Sequence, residues 1–401
     1  MQSVSPRAIV RIVLAAGLAA KLSFVPVLSG CSSTARSSSE APAETSAALK
    51  SALDRAGENR PQIEAALRQV PDNQAFAMRW LVERMPTGDL QTLDAAFLLR
   101  NCDLAYRAWN DSPWRQDVPE DVFLDAILPY ASVNEKREDW RTGLRERCLP
   151  LIAQARSASH AAAIINRELF ALVNVKYSTK RPKPDQSPSE SIAAGMASCT
   201  GLSILLIDAC RSVGIPARFV GTALWSDRSG NHSWVEIWDK GWQFTGAAEP
   251  TGDELNRGWF TDRAATARRD DPMMAIYAVT WRETSLAFPM VWLPGDQSVR
   301  AVDVTDRYTS IGQVVPEGQA RVRVRVAGPT GRVSVPVTIR TEDGVTLFTG
   351  TSKDERFDAN DHLSAVLVVG TRCTVEVPGR PGQAFTVERD EQLVEIVLPA
   401  S

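Results

Sequence analysis

The stretch MASCTGLSILLIDACRSVGIPAR, residues 196–218, decides the fold. Its apolar residues recur at spacings of three and four and cover more than one face, which predicts a helix buried at the centre of a domain. Ser198 is the predicted N-cap, and Gly214 followed by Pro216 ends the helix. Cys199 therefore lies in the first turn of this central helix.

A cysteine at that place is a candidate nucleophile, because a helix N-terminus and a nearby imidazole both favour the reactive thiolate. The alternative is a buried apolar cysteine, which is how we interpret the mid-helix Cys210. Three histidines are available, and we expect His160 and His362 to be surface or capping residues. His232 opens the apolar segment HSWVEIW directly after a glycine-containing loop, a place where catalytic side chains are often presented. It is the predicted partner of Cys199.

A thiol–imidazole pair needs an acid that orients the ring and stabilises its charged form. The segment GWQFTGAAEP, residues 241–250, offers Glu249 for this role. An ordinary loop carboxylate is the alternative interpretation of Glu249. The predicted catalytic residues are thus Cys199, His232 and Glu249.

The rest of the domain changes from helical to strand periodicity after residue 218. RFVGTALW, HSWVEIW and WQFT predict strands, and AIYAVTW and FPMVWL add further strands up to about residue 293. A central helix followed by antiparallel strands is an α+β pattern. We place this core at residues 161–295.

Two regions of different character flank the core. Residues 48–160 carry helical periodicity interrupted by prolines and predict a helical layer. Residues 300–401 read as short strands separated by turns, which predicts an immunoglobulin-like β-sandwich that we interpret as an accessory module. In ARVRVRV, residues 320–326, valines alternate with arginines and predict one buried and one solvated face.

The N-terminus resembles an export signal, with basic residues ahead of an apolar run that ends in Leu-Ser-Gly-Cys. That ending is similar to a bacterial lipobox, so residues 1–31 are the predicted signal peptide and Cys31 the predicted lipidation site. A plain cleaved signal or an uncleaved anchor is the alternative. Residues 32–47 are a Ser/Ala/Pro-rich tether. We expect an exported protein held at the bacterial cell envelope, with membrane contact only through the lipid.

Composition narrows the partners. The chain has 401 residues, 44% of them hydrophobic, which is enough for two or three domains. A net charge of −3 without a basic run argues against nucleic acid as a partner. Scattered histidines and the lack of a CxxC pair predict neither a metal nor another cofactor. A disulfide between Cys102 and Cys148 stays open, whereas Cys199 and Cys210 would be about 16 Å apart on one helix, too far for one.

These motifs together resemble the transglutaminase-like superfamily of cysteine enzymes. The matching residues occur in the family's order and are Gly195, Cys199, the helix ending RSVGIPAR, His232-Ser-Trp234-Val-Glu236, Gly241-Trp242 and Glu249-Pro250. The resemblance is strong over residues 190–260 and implies a papain-like core with a Cys-His-acid triad. Family members usually carry Asp-Pro after the Gly-Trp pair, whereas this sequence has Glu249-Pro250 after a longer segment. The resemblance therefore assigns the acid role to Glu249, although the residue type differs from the family's.

The resemblance also implies a reaction. Cys199 would attack the carbonyl of a peptide or protein amide, its own backbone N–H would stabilise the oxyanion, and His232 would protonate the leaving amine. The resulting thioester would pass to water or to an amine, and the sequence leaves both outcomes open. The competing hypothesis is an inactive scaffold or binding lipoprotein whose C-terminal sandwich mediates adhesion. The sequence does not predict the oligomeric state.

Overall fold

The computed structural model describes residues 46–311, 315–389 and 391–399. The predicted signal peptide, Cys31 and nearly all of the predicted tether lie outside these residues. In the part of the chain that is described, no helix has the length and apolar character needed to cross a bilayer.

The N-terminal region consists of eight α-helices that pack into one continuous core with the following domain. In chain order they are α1 (Ala47–Arg55), α2 (Arg60–Gln69), α3 (Ala75–Arg84), α4 (Thr87–Thr92), α5 (Ala95–Asp111), α6 (Glu120–Ala126), α7 (Arg141–Leu151) and α8 (Ala158–Leu172). Prolines mark several starts, as expected from their fixed φ: Pro86 and Pro119 stand at the N-caps of α4 and α6.

The predicted central helix is confirmed. A short helix α9 (Pro188–Ala194) and two paired two-residue strands, β1 (Lys176–Tyr177) and β2 (Met196–Ala197), lead into α10 (Cys199–Ser212). The Ser198 side chain accepts a hydrogen bond from the Gly201 N–H at 3.2 Å, and residues 200–212 are all buried. Gly214 has φ +79°, and a Cβ there would lie 2.2 Å from the Ala108 carbonyl oxygen, so a glycine is required.

A six-stranded antiparallel sheet packs against α10 and confirms the α+β class. Its strands are β3 (Ala217–Thr222), β4 (His232–Trp238), β5 (Trp242–Thr245), β6 (Ile276–Val279), β7 (Leu286–Ala287) and β8 (Arg300–Asp303), in the order β5-β4-β3-β6-β8-β7. Two short helices flank it, α11 (Thr261–Ala264) and α12 (Thr305–Thr309). The strand predicted at FPMVWL is wrong. Phe288 still donates to the Val299 carbonyl at 2.8 Å, but Pro289 has no N–H to donate and the chain leaves the sheet there.

The C-terminal region is the predicted β-sandwich. Its strands are β9 (Gln319–Gly328), β10 (Gly331–Arg332), β11 (Pro336–Thr341), β12 (Thr346–Thr351), β13 (Leu363–Val368), β14 (Arg372–Glu376), β15 (Gln383–Thr386) and β16 (Gln392–Val397). One sheet has the order β10-β9-β13 with β16 added in parallel to β9, and the other has the order β12-β11-β14-β15. The valines of β9 point into a core shared by both sheets.

The other face of β9 is not solvated, contrary to the sequence expectation for two of its three arginines. Arg321 and Arg323 are only 5% and 3% exposed. Arg321 pairs with Asp262 of α11, and Arg323 pairs with Glu391 at 3.0 Å. The face is covered because the sandwich packs against the core domain, and buried guanidinium groups require such carboxylate partners.

Candidate active site

Three side chains from two domains meet at the start of α10. One ligand-type atom from each of Cys199, His232 and Asp358 lies within 4.8 Å of the others. Cys199 is partly exposed in the first turn of α10, and His232 is the buried first residue of β4, the strand that α10 packs against. Asp358 is buried in the loop between β12 and β13 of the sandwich. The core thus supplies a thiol and an imidazole, and the sandwich supplies a carboxylate.

The imidazole and this carboxylate form a buried charge pair. His232 Nδ1 lies 3.5 Å from Asp358 Oδ2, with both side chains almost fully enclosed. This distance is at the outer limit for a hydrogen bond, and among the described residues neither ring nitrogen has a partner in good hydrogen-bond geometry. Catalytic contacts are often this long before substrate binds.

The charges of the two groups stabilise each other. Burial alone would lower the pKa of His232, but the negative charge of Asp358 and the nearby Cys199 sulfur raise it well above its usual value. Burial would raise the pKa of Asp358, but the His232 charge and the Asn360 N–H, which donates to Asp358 Oδ1 at 2.9 Å, lower it. The pair therefore favours imidazolium and carboxylate, the state that accompanies a thiolate.

The loop that carries Asp358 is fixed from within the sandwich. Arg332 on β10 is buried, and its guanidinium donates to the carbonyl oxygens of Phe357 at 2.6 Å and Asp361 at 3.1 Å. The Asp361 N–H in turn donates to the Asp358 carbonyl at 3.0 Å. One arginine thereby holds the backbone on both sides of the carboxylate.

The same loop is hydrogen-bonded to the core domain. The Ala359 N–H donates to the Tyr177 hydroxyl oxygen at 2.8 Å, and Asn360 Nδ2 donates to the Asn231 carbonyl at 3.0 Å. Asn231 directly precedes His232, and Tyr177 lies on β1, whose partner strand β2 ends two residues before Cys199. These contacts place Asp358 against both core residues of the site.

Aromatic side chains enclose the imidazole. The ring centroids of four neighbours lie 4.7–6.0 Å from that of His232, and these neighbours are Trp225, Trp234, Trp259 and Phe260. Such an enclosure excludes water and strengthens the interaction between the ring and its carboxylate. Several tryptophans that crowd this part of the sequence thus surround the histidine.

Glu249, the acid predicted from sequence, does not occupy the place beside the imidazole nitrogen. Its Oε1 accepts a hydrogen bond from Trp259 Nε1 at 3.0 Å, and its Oε2 is buried with no partner among the described residues. Burial raises the pKa of Glu249 to about 7, with opposing contributions from His232, which lowers it, and Asp358, which raises it. The carboxylate that faces His232 Nδ1 is that of Asp358.

Sequence reasoning missed Asp358 because it lies far from His232 along the chain, in a region interpreted as an accessory module. The only local signal was the acidic stretch DERFDAND, residues 354–361, in which three aspartates and a glutamate precede His362. A polar turn of this kind is common between strands. Only the packing of the sandwich on the core distinguishes this aspartate from its neighbours.

The other histidines and thiols in the described part of the chain lie outside this cluster. His160 accepts a hydrogen bond from the Arg156 N–H at 3.2 Å. His362 is buried rather than exposed, and burial followed by nearby arginine charges lowers its pKa to about 3. Cys102, Cys148 and Cys210 are separate buried thiols, so the disulfide left open for Cys102 and Cys148 does not form in this structure.

The cluster also has the donor types that zinc uses. A thiolate, an imidazole nitrogen and a carboxylate oxygen are common zinc ligands, and three protein donors with an open fourth position are typical of catalytic zinc. The same atoms in the same proximity form a nucleophile, base and acid when no metal is bound. The two possibilities predict opposite responses to chelation.

Comparison with known families identifies the core. Residues 149–247 match the family model described as the transglutaminase-like superfamily. The match contains α8, α10 and strands β3 to β5, and with them Cys199 and His232. The chain therefore carries a transglutaminase-like domain, as its motifs indicated. Glu249 and Asp358 both lie beyond the matched residues, and a search of curated proteins gave no match.

Solved structures with detectable similarity include three that cover part of the chain. A candidate cysteine protease from Cytophaga hutchinsonii is 16% identical over 44% of this chain, with a TM-score of 0.26. The Bacillus anthracis TIE protein is 13% identical over 46%, with a TM-score of 0.17, and red sea bream transglutaminase is 11% identical over 69%, with a TM-score of 0.30. This chain covers 62%, 30% and 65% of these proteins, less than two thirds of each.

Proposed function

We propose that the protein is a thiol enzyme that cleaves or transfers the acyl group of peptide or protein amides through a thioester on Cys199. The observation that carries the proposal is the cluster of Cys199, His232 and Asp358 at the start of α10. Cys199 is the nucleophile, His232 the base and acid catalyst, and Asp358 the carboxylate that stabilises the imidazolium. The transglutaminase-like domain is the class of fold on which this chemistry is expected.

The reaction begins with the thiolate of Cys199 attacking the amide carbonyl carbon, which forms the C–S bond and moves an electron pair onto the carbonyl oxygen. The tetrahedral intermediate then collapses. The C–N bond breaks, the leaving amine takes a proton from the His232 imidazolium, and a thioester remains on Cys199. Asp358 holds the ring charged before attack and oriented for the proton transfer.

Two donors are available for the oxyanion. The backbone N–H of Cys199 is at the first position of α10, where the helix itself provides no acceptor. The Tyr177 hydroxyl uses its oxygen to accept from Ala359, so its proton remains free to donate. Burial raises the pKa of Tyr177, and the nearby charges of Asp358 and Cys199 raise it further, so the hydroxyl keeps its proton. A donor aimed at the developing oxyanion contributes roughly 10²–10³ in rate.

The second half of the reaction has two outcomes. Water activated by neutral His232 would hydrolyse the thioester, and a primary amine would give transamidation. Incubation of a peptide library with wild type and with Cys199→Ala, with and without a primary amine, followed by mass spectrometry, distinguishes cleavage, deamidation and cross-linking. The proposal requires at least one of these products with wild type and none with Cys199→Ala; no product from either would overturn it.

The competing hypothesis of an inactive scaffold rested on the unusual acid, Glu249. The position of Asp358 weakens that reason, because a carboxylate does face the imidazole. The sandwich also has a role in the proposed site and need not be an adhesion module. The facing carboxylate and the contribution of the sandwich to the site both favour an enzyme over an inactive scaffold.

We also propose that the protein is exported and lipid-anchored at Cys31, on the sequence of residues 28–31 alone. Metabolic labelling with a radioactive or clickable fatty acid, in a bacterial host with wild type and Cys31→Ser, tests this. Label in wild type and not in Cys31→Ser is expected. Absence of label in both would overturn the lipid anchor.

A further inference from the structure

A groove built from both domains lies at the β1–β2 ladder, which leads into the helix that carries Cys199. It has a volume of about 620 Å³ and is lined on the core side by residues 176–180 and Met196, and on the sandwich side by Thr330, Glu355 and Arg356. Met196 lies three residues before Cys199, and Tyr177 pairs with Ala197 in the β1–β2 ladder. The groove therefore lies beside the segment that leads into α10, the helix that begins with the proposed nucleophile.

The charged side chains that line the groove leave an excess of positive charge. Arg356 is paired with Asp354 at 2.8 Å, and the Glu355 carboxylate accepts from the Arg332 N–H at 2.8 Å. Lys176 and Lys180 also line the groove; both are exposed, and neither forms an ion pair with any of the described residues. Among the described residues, two ammonium groups without an ion-pair partner therefore line this groove.

We infer that this groove binds the substrate and selects peptides that carry acidic side chains beside the reacting amide, with Lys176 and Lys180 as the groups that recognise them. The inference rests on the proposed function, of which it specifies the substrate class. Lys176 lies on β1 and Lys180 in the turn that follows it, and both line the groove, so one acidic segment can meet both while its amide reaches Cys199. A lysine ammonium is a point charge on a flexible stem, so it can pair with carboxylates at several positions along a peptide and does not require one fixed geometry.

The expected size of the effect follows from exposed ion pairs, each of which changes affinity by about 1.4-fold to fivefold. Two lysines together should favour an acidic peptide by roughly twofold to 25-fold. The preference should decrease with salt, since the Debye length shortens from about 10 Å at 0.1 M to 3 Å at 1 M. It should appear in KM and leave kcat unchanged, because the lysines bind ground state and transition state alike.

The test compares synthetic peptides that share one reactive amide and differ only by Glu or Gln at flanking positions. Wild type should show the lower KM for the Glu peptide, Lys176→Ala with Lys180→Ala should abolish the difference, and Lys176→Glu with Lys180→Glu should reverse it. Lys240→Ala, an exposed lysine on the β4–β5 turn, is the matched control and should behave as wild type. Equal KM values for Glu and Gln peptides with wild type would overturn the inference, as would an equal loss in Lys240→Ala.

A binding measurement separates this inference from the proposed function. Fluorescence anisotropy of labelled Glu and Gln peptides with Cys199→Ala requires no turnover. Tighter binding of the Glu peptide that depends on Lys176 and Lys180 supports the groove, even if wild type processes neither peptide and the proposed function fails. Turnover of both peptides without any charge preference leaves the proposed function in place and overturns the inference.

Discussion

His232 and Asp358 face each other across the boundary between two domains, with Nδ1 and Oδ2 3.5 Å apart. The histidine opens a strand of the transglutaminase-like core, and the aspartate lies in a sandwich loop held by Arg332. Each residue shifts the pKa of the other toward the charged pair. If the site is catalytic as proposed, its competence depends on the sandwich remaining docked.

The reactivity of the thiols gives the first prediction. Cys199 is partly exposed beside His232, whereas Cys210 is buried in the same helix, and burial raises the pKa of Cys210 well above its usual value. Iodoacetamide at neutral pH should therefore alkylate Cys199 at least about 100-fold faster than Cys210, because only the thiolate reacts. His232→Ala should slow the Cys199 reaction about tenfold or more.

Peptide mapping by mass spectrometry after timed quenching measures both rates in one sample. Protein unfolded in denaturant is the control, in which the two cysteines should react alike. Slow and equal labelling of Cys199 and Cys210 in the folded protein would argue against a nucleophilic role.

Glu249 should make the folded protein less stable as the pH rises. Its pKa is raised from 4.5 to about 7 in the folded state, so the unfolded chain loses the proton first. The stability that the protonated form confers is fully present below pH 4.5 and declines between pH 4.5 and 7. Above pH 7 this contribution is lost and stability changes no further from Glu249. At about 1.4 kcal/mol per pKa unit, the loss is about 3 kcal/mol.

Glu249→Gln removes that loss and retains an acceptor for the Trp259 N–H. Chemical denaturation at pH 5 and pH 8 should show the variant gaining on wild type much more at pH 8 than at pH 5, where the loss has only begun. Glu254→Gln, on an exposed carboxylate of the same loop, is the control and should change neither value. A gain at pH 5 equal to that at pH 8 would show that Glu249 is already ionised.

Arg332 should affect catalysis without touching substrate. Arg332→Ala removes the donors to the Phe357 and Asp361 carbonyls, so the loop that carries Asp358 is less well held. We expect kcat to fall about tenfold with little change in KM, along with a stability loss of about 1–3 kcal/mol from the unpaired carbonyls.

Arg340→Ala, an arginine on β11 that pairs with Glu376 near the surface, serves as the control. Steady-state kinetics on the same substrate, at a temperature where both variants remain folded, measure the difference. Equal kcat values for Arg332→Ala and Arg340→Ala would show that the hydrogen bonds from Arg332 to the Asp358 loop are not needed for catalysis.

Metal ions should inhibit rather than activate. Since Cys199, His232 and Asp358 present zinc-type donors within 4.8 Å, added zinc should bind the thiolate and the imidazole and block attack. Turnover should survive prolonged EDTA treatment, fall with micromolar zinc, and return when EDTA is added. Loss of activity on chelation and recovery with zinc would instead identify a metal enzyme.

Much of the core could be predicted from sequence because the signals are local. The buried helix, its Ser198 cap and the glycine at 214 follow from spacing and backbone conformation. The class of fold followed from motifs within one short region, which the family match also covers. The strand predicted at residues 288–293 was wrong because apolar character alone does not make a strand, and Pro289 has no N–H for the ladder.

The site could be predicted only in part for the same reason. Cys199 and His232 are singled out by the elements that carry them, but Asp358 is brought to them by docking of a second domain. The arginines of β9 show the same limit: their alternation predicted a solvated face, and the core domain covers it at Arg321 and Arg323. Contacts between domains leave little trace in local periodicity.

The most direct test of the account compares Asp358→Asn with Glu249→Gln in one assay of turnover and one of Cys199 alkylation. In a Ser-His-Asp triad, replacing the aspartate with asparagine lowers kcat about 10⁴-fold. The account predicts a loss of at least 100-fold for Asp358→Asn in turnover, with slower alkylation, and values within about threefold of wild type for Glu249→Gln. Near-normal activity of Asp358→Asn together with loss of activity in Glu249→Gln would contradict it.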